Sequence, residues 1–125
     1  FTASLRGQSP AIRILSQTVD QLNEYFAGER RQFDLHLFPE GTYFQKRVWA
    51  QLSKIPYGKT CSYADIAGRI QNIKAVRAVG AANGRNPLSI VVPCHRVIAT
   101  NGTLTGYAGG LEIKARLLEI ERRLG

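Results

Sequence analysis

The sequence has few of the residues that build disulfide frameworks, metal centres or membrane spans. Its two cysteines, Cys61 and Cys94, are too few for a disulfide framework and favour a reducing, intracellular compartment. Its two histidines, His36 and His95, do not cluster with the cysteines as the ligand set of a structural zinc site. No apolar run approaches the roughly 20 residues of a membrane-spanning helix. We therefore expect no metal, no cofactor and no membrane partner.

Acidic residues are scarce in the middle of the chain. Residues 43–100 carry nine basic side chains against Asp65 alone, a net charge of +8, whereas residues 1–42 carry −1 and residues 101–125 carry +1. Basic charge concentrated on one segment favours a phosphate-rich partner. A basic face that only keeps the protein in solution would carry the same charge, so charge alone leaves both interpretations open.

The chain has 125 residues, of which 44% are hydrophobic, and this suits one globular domain or one domain with a fragment of another. Pro39-Glu40-Gly41 indicates a boundary between two regions. We predict a partial N-terminal α/β domain over residues 1–41 and a second domain over residues 42–125.

A helix and a strand are predicted in the N-terminal domain. Ser9 followed by Pro10 favours a helix start, and Gly28 favours its end. The apolar residues that recur on one face, and are expected to be buried, are Ile12, Leu15, Val19, Leu22 and Phe26. The residues whose alternation predicts a half-buried strand are Phe33, Leu35 and Leu37.

The second domain is predicted to begin and end with helices. Thr42 and Gln45 fit a capping box for a helix that ends before Pro56. Its expected buried residues are Phe44, Val48, Leu52 and Ile55. A final helix is predicted over residues 111–124, and its expected apolar stripe is Ile113, Leu117, Ile120 and Leu124. On an adjacent stripe, Lys114 and Glu121 share one side of this helix and partly face inward.

Two short helices are predicted in the basic segment. Ser62 would cap the first, over residues 63–70, and the second would follow a turn at Gln71-Asn72 and cover residues 74–83. Such a pair suggests a helix-turn-helix, although many helix pairs with this spacing bind nothing. Two short strands are then predicted over residues 88–92 and 96–99.

Pro93-Cys94-His95-Arg96 is the stretch with the most chemical information. The thiolate is the reactive form of cysteine, so a nearby histidine that accepts the thiol proton would activate Cys94. Adjacent side chains on an extended chain point apart, so we expect a water between Cys94 and His95. Glu121 is the best carboxylate to orient His95. For an isolated Cys-His pair, a small buried thiol beside a satisfied core histidine is the commoner situation.

The segment Ile90 to Val97, which spells IVVPCHRV, resembles the active-site signature of the O6-alkylguanine-DNA alkyltransferases. The other segments that match this family, in chain order, are Ser62-Tyr63 with Ile66-Ala67, Ala75 to Gly80, Asn86-Pro87 and Tyr107 to Leu111, with Lys114 and Glu121 at the expected distances. The resemblance covers roughly residues 42–125. It implies an α/β fold in which a C-terminal winged helix-turn-helix alkyltransferase domain follows a partial, RNase H-like N-terminal domain.

The resemblance implies a single-turnover methylated-DNA–protein-cysteine S-methyltransferase. Cys94 would take the alkyl group from O6-alkylguanine, and also from O4-methylthymine, and keep it because a thioether does not hydrolyse. The resemblance implies that His95 and Glu121 draw the proton from Cys94, that Lys114 supports this network and that Asn86 fixes a turn. Tyr63 would donate a proton to the guanine ring, and Tyr107 would form a wall of the pocket. The Ala108 N–H would bind O6, and the carbonyls of Cys94 and Val97 would accept hydrogen bonds from the guanine amino group.

The target atom lies inside duplex DNA, so the base must be flipped out of the stack. The resemblance makes Arg77 the side chain that fills the gap. The second short helix is small-sided, with Ala75, Ala78 and Gly80, and this favours close approach to the minor groove over base reading in the major groove. We add Arg85 and Arg96 to the expected DNA contacts, and expect binding that is largely independent of sequence and sensitive to salt.

Three other functions compete with alkyl transfer. A non-enzymatic sensor of alkylated DNA shares the fold of the alkyltransferases but lacks the cysteine, and Cys94 argues against it. The small-sided helix argues against a winged-helix transcriptional regulator. A Cys-His hydrolase would need an oxyanion hole, and it would leave the basic helix pair without a purpose. We expect a monomer, cytoplasmic and nucleoid-associated in a prokaryote or nuclear in a eukaryote.

Overall fold

The computed structural model describes residues 10–35, 37–104, 107 and 110–124. The chain divides into two compact units, the first ending at Phe38 and the second beginning at Pro39, close to the predicted boundary. Within the described residues, no helix combines the length and the hydropathy that crossing a membrane requires. The architecture is α/β and mostly helical.

The first unit contains helix α1, Pro10–Phe26, as predicted. The predicted buried face is wrong, because Leu15 and Phe26 are 57% and 51% exposed whereas Gln21 and Tyr25 are buried. The chain after the helix returns to the Gln21 and Tyr25 face, where the ring of Phe33 lies 5.7 Å from that of Tyr25. The position of this returning segment decides which face of α1 is covered.

The predicted strand at Phe33, Leu35 and Leu37 is also wrong for the described residues, since none of residues 33–35 and 37 is in a strand. The backbone of Asp34 is instead occupied by a side chain. Its N–H donates to Gln21 Oε1 at 2.8 Å, and its carbonyl accepts from Gln21 Nε2 at 2.9 Å. A side-chain amide here takes the hydrogen bonds that a neighbouring strand would otherwise supply.

The second unit begins with α2, Tyr43–Leu52. The Thr42–Gln45 capping box forms as predicted, with Gln45 N donating to Thr42 Oγ1 at 3.0 Å. The helix buries Val48, Trp49 and Leu52. The indole N–H of Trp49 donates to the Ala82 carbonyl at 2.9 Å and ties this helix to a later one.

Helices α3, Tyr63–Arg69, and α4, Val76–Gly84, confirm the predicted helix pair. The Ser62 side chain caps α3, and hydrogen bonds from the Ser62 backbone and hydroxyl hold the pKa of Asp65 below its usual value. Gln71 takes a left-handed backbone (φ 59°), and one 3-10 turn precedes α4. The tight connection packs α3 and α4 against each other, with Ile66 and Val79 in the shared core.

A two-stranded parallel sheet joins the helix pair to the following segment. Strand β1, Cys61–Ser62, pairs with β2, Val97–Ile98, with Cys61 opposite Val97. The predicted strand over residues 88–92 is wrong, because this apolar run forms a tight turn in which Ile90 has a φ of 76°. The predicted strand over 96–99 is shorter than expected, since a 3-10 turn occupies Cys94–Arg96.

The last helix, α5, covers Leu111–Leu124 as predicted. Its buried face differs from the expected apolar stripe, because Lys114, Leu117 and Glu121 are buried while Ile113 and Leu124 are 50% and 44% exposed. The inward position predicted for Lys114 and Glu121 is confirmed. The Val97 carbonyl binds Lys114, and the side chains of His95 and Arg96 bind Glu121. Of the expected apolar stripe, Leu117 alone is buried.

Candidate active site

Cys94 lies at the start of the 3-10 turn that leads into β2, and it is 3% exposed. It belongs to the core cluster that α2, α3 and α4 form, beside Val97. The carbonyl of Cys94 accepts a hydrogen bond from Asn83 Nδ2 at 3.3 Å, and the thiol lies 3.9 Å from Ser89 Oγ. Polar side chains therefore contact Cys94 at both its main-chain carbonyl and its thiol.

His95 is fully buried and its Nε2 lies 2.6 Å from Glu121 Oε2. An ionised carboxylate only accepts, so we assign the ring proton to Nε2. In the neutral ring Nδ1 then carries the lone pair, and this buried nitrogen has no hydrogen-bond partner among the described residues. His95 is thus arranged as a base whose free nitrogen is the one not bound to Glu121.

Arg96 binds Glu121 with both arms of its guanidinium. The Nε and Nη2 atoms donate to the two carboxylate oxygens at 2.8 and 3.0 Å, and Nη1 donates to the Ile55 carbonyl at 2.7 Å. The Tyr57 ring centroid is 5.6 Å from the guanidinium carbon. The prediction that Arg96 contacts DNA is wrong, because this side chain is 6% exposed and its guanidinium is committed inside the protein.

Lys114 is fully buried and donates from Nζ to the Val97 carbonyl. Its Nζ is also 5.9 Å from the centroid of the Tyr63 ring. Burial lowers the pKa of Lys114, and the charge of Cys94 acts in the opposite direction. The Lys114 ammonium group therefore lies within electrostatic range of the Cys94 sulfur.

Asn86 holds the turn between α4 and Cys94. Its Nδ2 donates to the Val92 carbonyl at 2.8 Å, and its Oδ1 accepts from the Leu88 N–H at 3.0 Å. Tyr107 packs half-buried against the core cluster. Ala108 lies outside the described residues, so its predicted contact with O6 stays a prediction.

The surface of α4 has the small profile expected from its sequence. Arg77, Ala78 and Arg85 are exposed, and Ala75 and Gly80 are half-buried. A Cβ at Gly80 would lie 3.9 Å from the Tyr63 ring, which shows how closely α3 approaches α4. No group of three or more His, Cys, Asp or Glu within the described ranges could hold a metal ion.

The family model for the DNA-binding domain of 6-O-methylguanine DNA methyltransferase matches residues 43–123. The chain belongs to the 6-O-methylguanine DNA methyltransferase family. The matched range runs from the first residue of α2 almost to the end of α5 and includes Cys94, His95 and Glu121. Helix α1 lies outside it.

Two similar proteins and one solved structure agree with this assignment. The chain is 62% identical over 101 residues to a methylated-DNA--protein-cysteine methyltransferase of Methanosarcina acetivorans, covering 81% of this chain and 65% of the relative. It is 61% identical to the constitutive enzyme of that name from Bacillus subtilis, covering 86% and 66%. It superposes on the Mycobacterium tuberculosis OGT in complex with DNA with a TM-score of 0.85 at 56% identity, covering 88% of this chain and 68% of that one. The chain thus spans less than two thirds of the length of these two curated relatives.

Two polar residues of the site were missed by sequence reasoning. Asn83 is 1% exposed and holds the Cys94 carbonyl, and the signal that could have found it is a lone amide on an otherwise small-sided helix. Ser89 reaches the sulfur from inside the segment that was predicted as an apolar strand. No feature of that run indicates a turn, so the sequence offered no signal for Ser89.

Proposed function

We propose that this protein removes the alkyl group from the O6 atom of guanine in duplex DNA and keeps it on Cys94. The observation that carries the proposal is the buried Cys94 thiol on the same short turn as a His95–Glu121 pair, 2.6 Å apart. This turn is paired through β2 with the strand that leads into α3. The family assignment supports the same chemistry.

The proposed reaction uses each member of the site once. His95 accepts the thiol proton at Nδ1 through a water, and Glu121 stabilises the imidazolium. The Cys94 thiolate attacks the alkyl carbon, the bond from that carbon to O6 breaks, and its electron pair stays on guanine. Tyr63 donates the proton that neutralises the leaving guanine. The product is a thioether, which no residue of the site can hydrolyse, so each molecule acts once.

DNA recognition follows from the face that α3 and α4 present. In this proposal the two helices form a winged helix-turn-helix that enters the minor groove, the lesion base flips out, and Arg77 fills the gap. Arg85 contacts a phosphate. The flipped base meets Tyr107 and the Ala108 N–H, and the carbonyls of Cys94 and Val97 read its amino group. O4-methylthymine would be a second substrate.

The remaining parts of the proposal concern the whole protein. Residues 1–41 would be part of an RNase H-like N-terminal domain and residues 42–125 the DNA-binding alkyltransferase domain. We propose that the protein acts as a monomer on double-stranded DNA, in the cytoplasm and nucleoid of a prokaryote or the nucleus of a eukaryote.

A labelled-methyl transfer experiment tests the proposal. The protein is mixed with duplex DNA that carries labelled O6-methylguanine, digested, and the label is mapped by mass spectrometry. We expect at most one methyl group per molecule, on the peptide that contains Cys94. Cys61→Ala is the matched control and should transfer as well as the native chain, whereas Cys94→Ala should bind the damaged duplex without taking up label.

Two outcomes would overturn the proposal. Label on Cys61, or repeated turnover, would assign the chemistry to a different group or a different reaction. A native protein that binds the lesion with high affinity and never takes up label would be a sensor of alkylated DNA.

A further inference from the structure

We propose that Ser89 is a further catalytic residue, whose hydroxyl donates a hydrogen bond to the Cys94 thiolate while the Tyr107 phenol donates to Ser89 from behind. The identity of the electrophile rests on the proposed function, but the stabilisation of the thiolate does not. The His95–Glu121 pair would remove the proton from the sulfur, and the two hydroxyl groups would stabilise the thiolate that results.

The position of Ser89 next to the sulfur is the first observation. Its Oγ lies 3.9 Å from Cys94 Sγ, within hydrogen-bonding distance of a sulfur atom. As a neutral thiol, Cys94 donates to Ser89; once it is ionised it can only accept, so the hydroxyl must turn to donate. Charge on the acceptor shortens and strengthens such a bond, and contacts in catalytic sites are often long until the reacting state forms.

Tyr107 gives the hydroxyl chain its direction. Burial, and after it the charge of Cys94, raise the pKa of Tyr107 above its ordinary value, and they outweigh the hydrogen bond with Ser89, which lowers it. A phenol with a raised pKa keeps its proton and remains a donor. Tyr107 can then donate to Ser89 Oγ while Ser89 donates to the sulfur, and hydrogen bonds in such a chain strengthen each other.

The backbone that carries Ser89 is strained in a way that brings it back to the nucleophile. Ile90, the next residue, has a φ of 76°, which is a genuine outlier for a β-branched side chain. Ser89 pairs with Val92 in an isolated bridge, and Asn86 holds the Val92 carbonyl. These hydrogen bonds therefore hold the segment in a turn, where its apolar sequence predicted an extended strand. The turn places Ser89 beside Cys94.

Lys114 is the other residue that could stabilise the Cys94 thiolate, and it would do so by its charge. Its Nζ donates to the Val97 carbonyl, and its ammonium group contributes positive charge near the sulfur. Charge from Lys114 and a hydrogen bond from Ser89 are separable contributions. Removing the Ser89 hydroxyl should change the ionisation of Cys94 without disturbing the lysine.

The test is the pH dependence of Cys94 modification by iodoacetamide, followed on the Cys94 peptide by mass spectrometry. The Cys61 peptide serves as an internal reference for general unfolding. In Ser89→Ala the midpoint of the pH profile should rise by about one unit, so that the rate below the midpoint falls about tenfold. Ser89→Thr keeps the hydroxyl and should stay within about twofold of the native rate. Ser89 is exposed, so neither change should affect folding.

Tyr107→Phe tests the second member of the chain. We expect a smaller shift, with a rate about two- to threefold lower, and no additional loss when Ser89 is already alanine. A native midpoint in Ser89→Ala, or equal effects of Tyr107→Phe with and without Ser89, would overturn the proposal. Because iodoacetamide replaces alkylated DNA, failure here is distinct from failure of the methyl-transfer experiment, which reports on the proposed function.

Discussion

Helices α2 and α5 lie in the same unit and bury opposite kinds of side chain. Helix α2 buries Val48 and Leu52, as its apolar pattern predicts, and it also buries Trp49. Helix α5 buries Lys114 and Glu121 on either side of a single buried leucine, and its remaining apolar residues are half-buried or exposed. One helix follows hydropathy and the other departs from it.

The difference shows where the molecule gains stability and where it uses some of that stability for chemistry. Burial of apolar side chains stabilises the fold by about 1.5–3 kcal/mol for each large residue. Burial of a charge costs free energy unless a partner is built around it. On α5 the partners are built, because Arg96 and His95 bind Glu121 and the Val97 carbonyl binds Lys114.

The largest expected effect is that of Glu121→Ala, which removes the carboxylate that His95 and Arg96 share. It would leave Arg96 and His95 buried without their carboxylate, at a cost of about 3–5 kcal/mol in the free energy of unfolding. The rate of methyl transfer should fall by at least about 100-fold, as expected when a general base loses its orienting group. Denaturant unfolding and single-turnover transfer measure the two effects.

Glu119→Ala is the matched control on the same helix. Glu119 pairs with Arg122 at 2.6 Å, but the two side chains are 47% and 75% exposed. Exposed pairs of this kind contribute about 0–1 kcal/mol, so stability and transfer rate should stay near those of the native chain. If the two glutamate variants behaved alike, the contrast between buried and exposed charge on α5 would be wrong.

The next effect is that of Leu52→Ala on α2, which tests stability without chemistry. Leu52 is fully buried in the core cluster, and its truncation should cost about 2–5 kcal/mol. The transfer rate per folded molecule should not change, because the side chain belongs to no step of the proposed reaction. If the variant kept native stability, or lost much of its transfer rate while fully folded, it would contradict the assignment of stability to α2 and of chemistry to α5.

The sequence predicted well those features of the fold that depend on neighbouring residues, such as helix caps and helix bounds. The capping residues Thr42 and Ser62 were assigned correctly, and so were the bounds of α5, because a cap depends on residues within one turn of each other. The buried apolar faces of α1 and α5 were predicted wrongly, whereas the inward position of Lys114 and Glu121 was predicted correctly. Which face of a helix is buried depends on partners far along the chain, and the wrong stripes came from hydrophobic periodicity alone.

Site prediction met the same limit. Cys94, His95 and Glu121 were named from the sequence, and the structure brings them together. Arg96 was placed on the DNA because its charge counted as part of a basic segment, yet its partner lies twenty-five residues further along the chain. Ser89 was missed because a short apolar run predicts a strand, and only the turn reveals what it contacts.

A smaller effect is expected in the pH dependence of stability, and Lys114→Met isolates it. The pKa of Lys114 is lowered in the folded protein, so between that lowered value and 10.5 the unfolded chain binds more protons. The free energy of unfolding should therefore rise with pH across this window, by at most about 1.4 kcal/mol per pH unit. Below the window both states are charged and the burial penalty is complete.

Lys114→Met removes this contribution, so its stability should rise less steeply on the approach to pH 10.5. Urea unfolding at a series of pH values measures both curves, and the other titrating groups contribute to both. Parallel curves for the two proteins would mean that Lys114 carries no shifted pKa in the folded state. The charges on α5 would then be less costly than the comparison with α2 implies.

The smallest effect should come from the apolar residue that α5 leaves outside. Ile113 is 50% exposed, so Ile113→Gln should change the free energy of unfolding by no more than about 0.5 kcal/mol. Leu117→Ala, four residues along the same helix and 3% exposed, should cost about 2–5 kcal/mol. Hydropathy alone predicts a similar loss from both changes. If thermal and urea unfolding gave Ile113→Gln a loss as large as that of Leu117→Ala, the outer face of α5 would be a buried face, and the inversion relative to α2 would not exist.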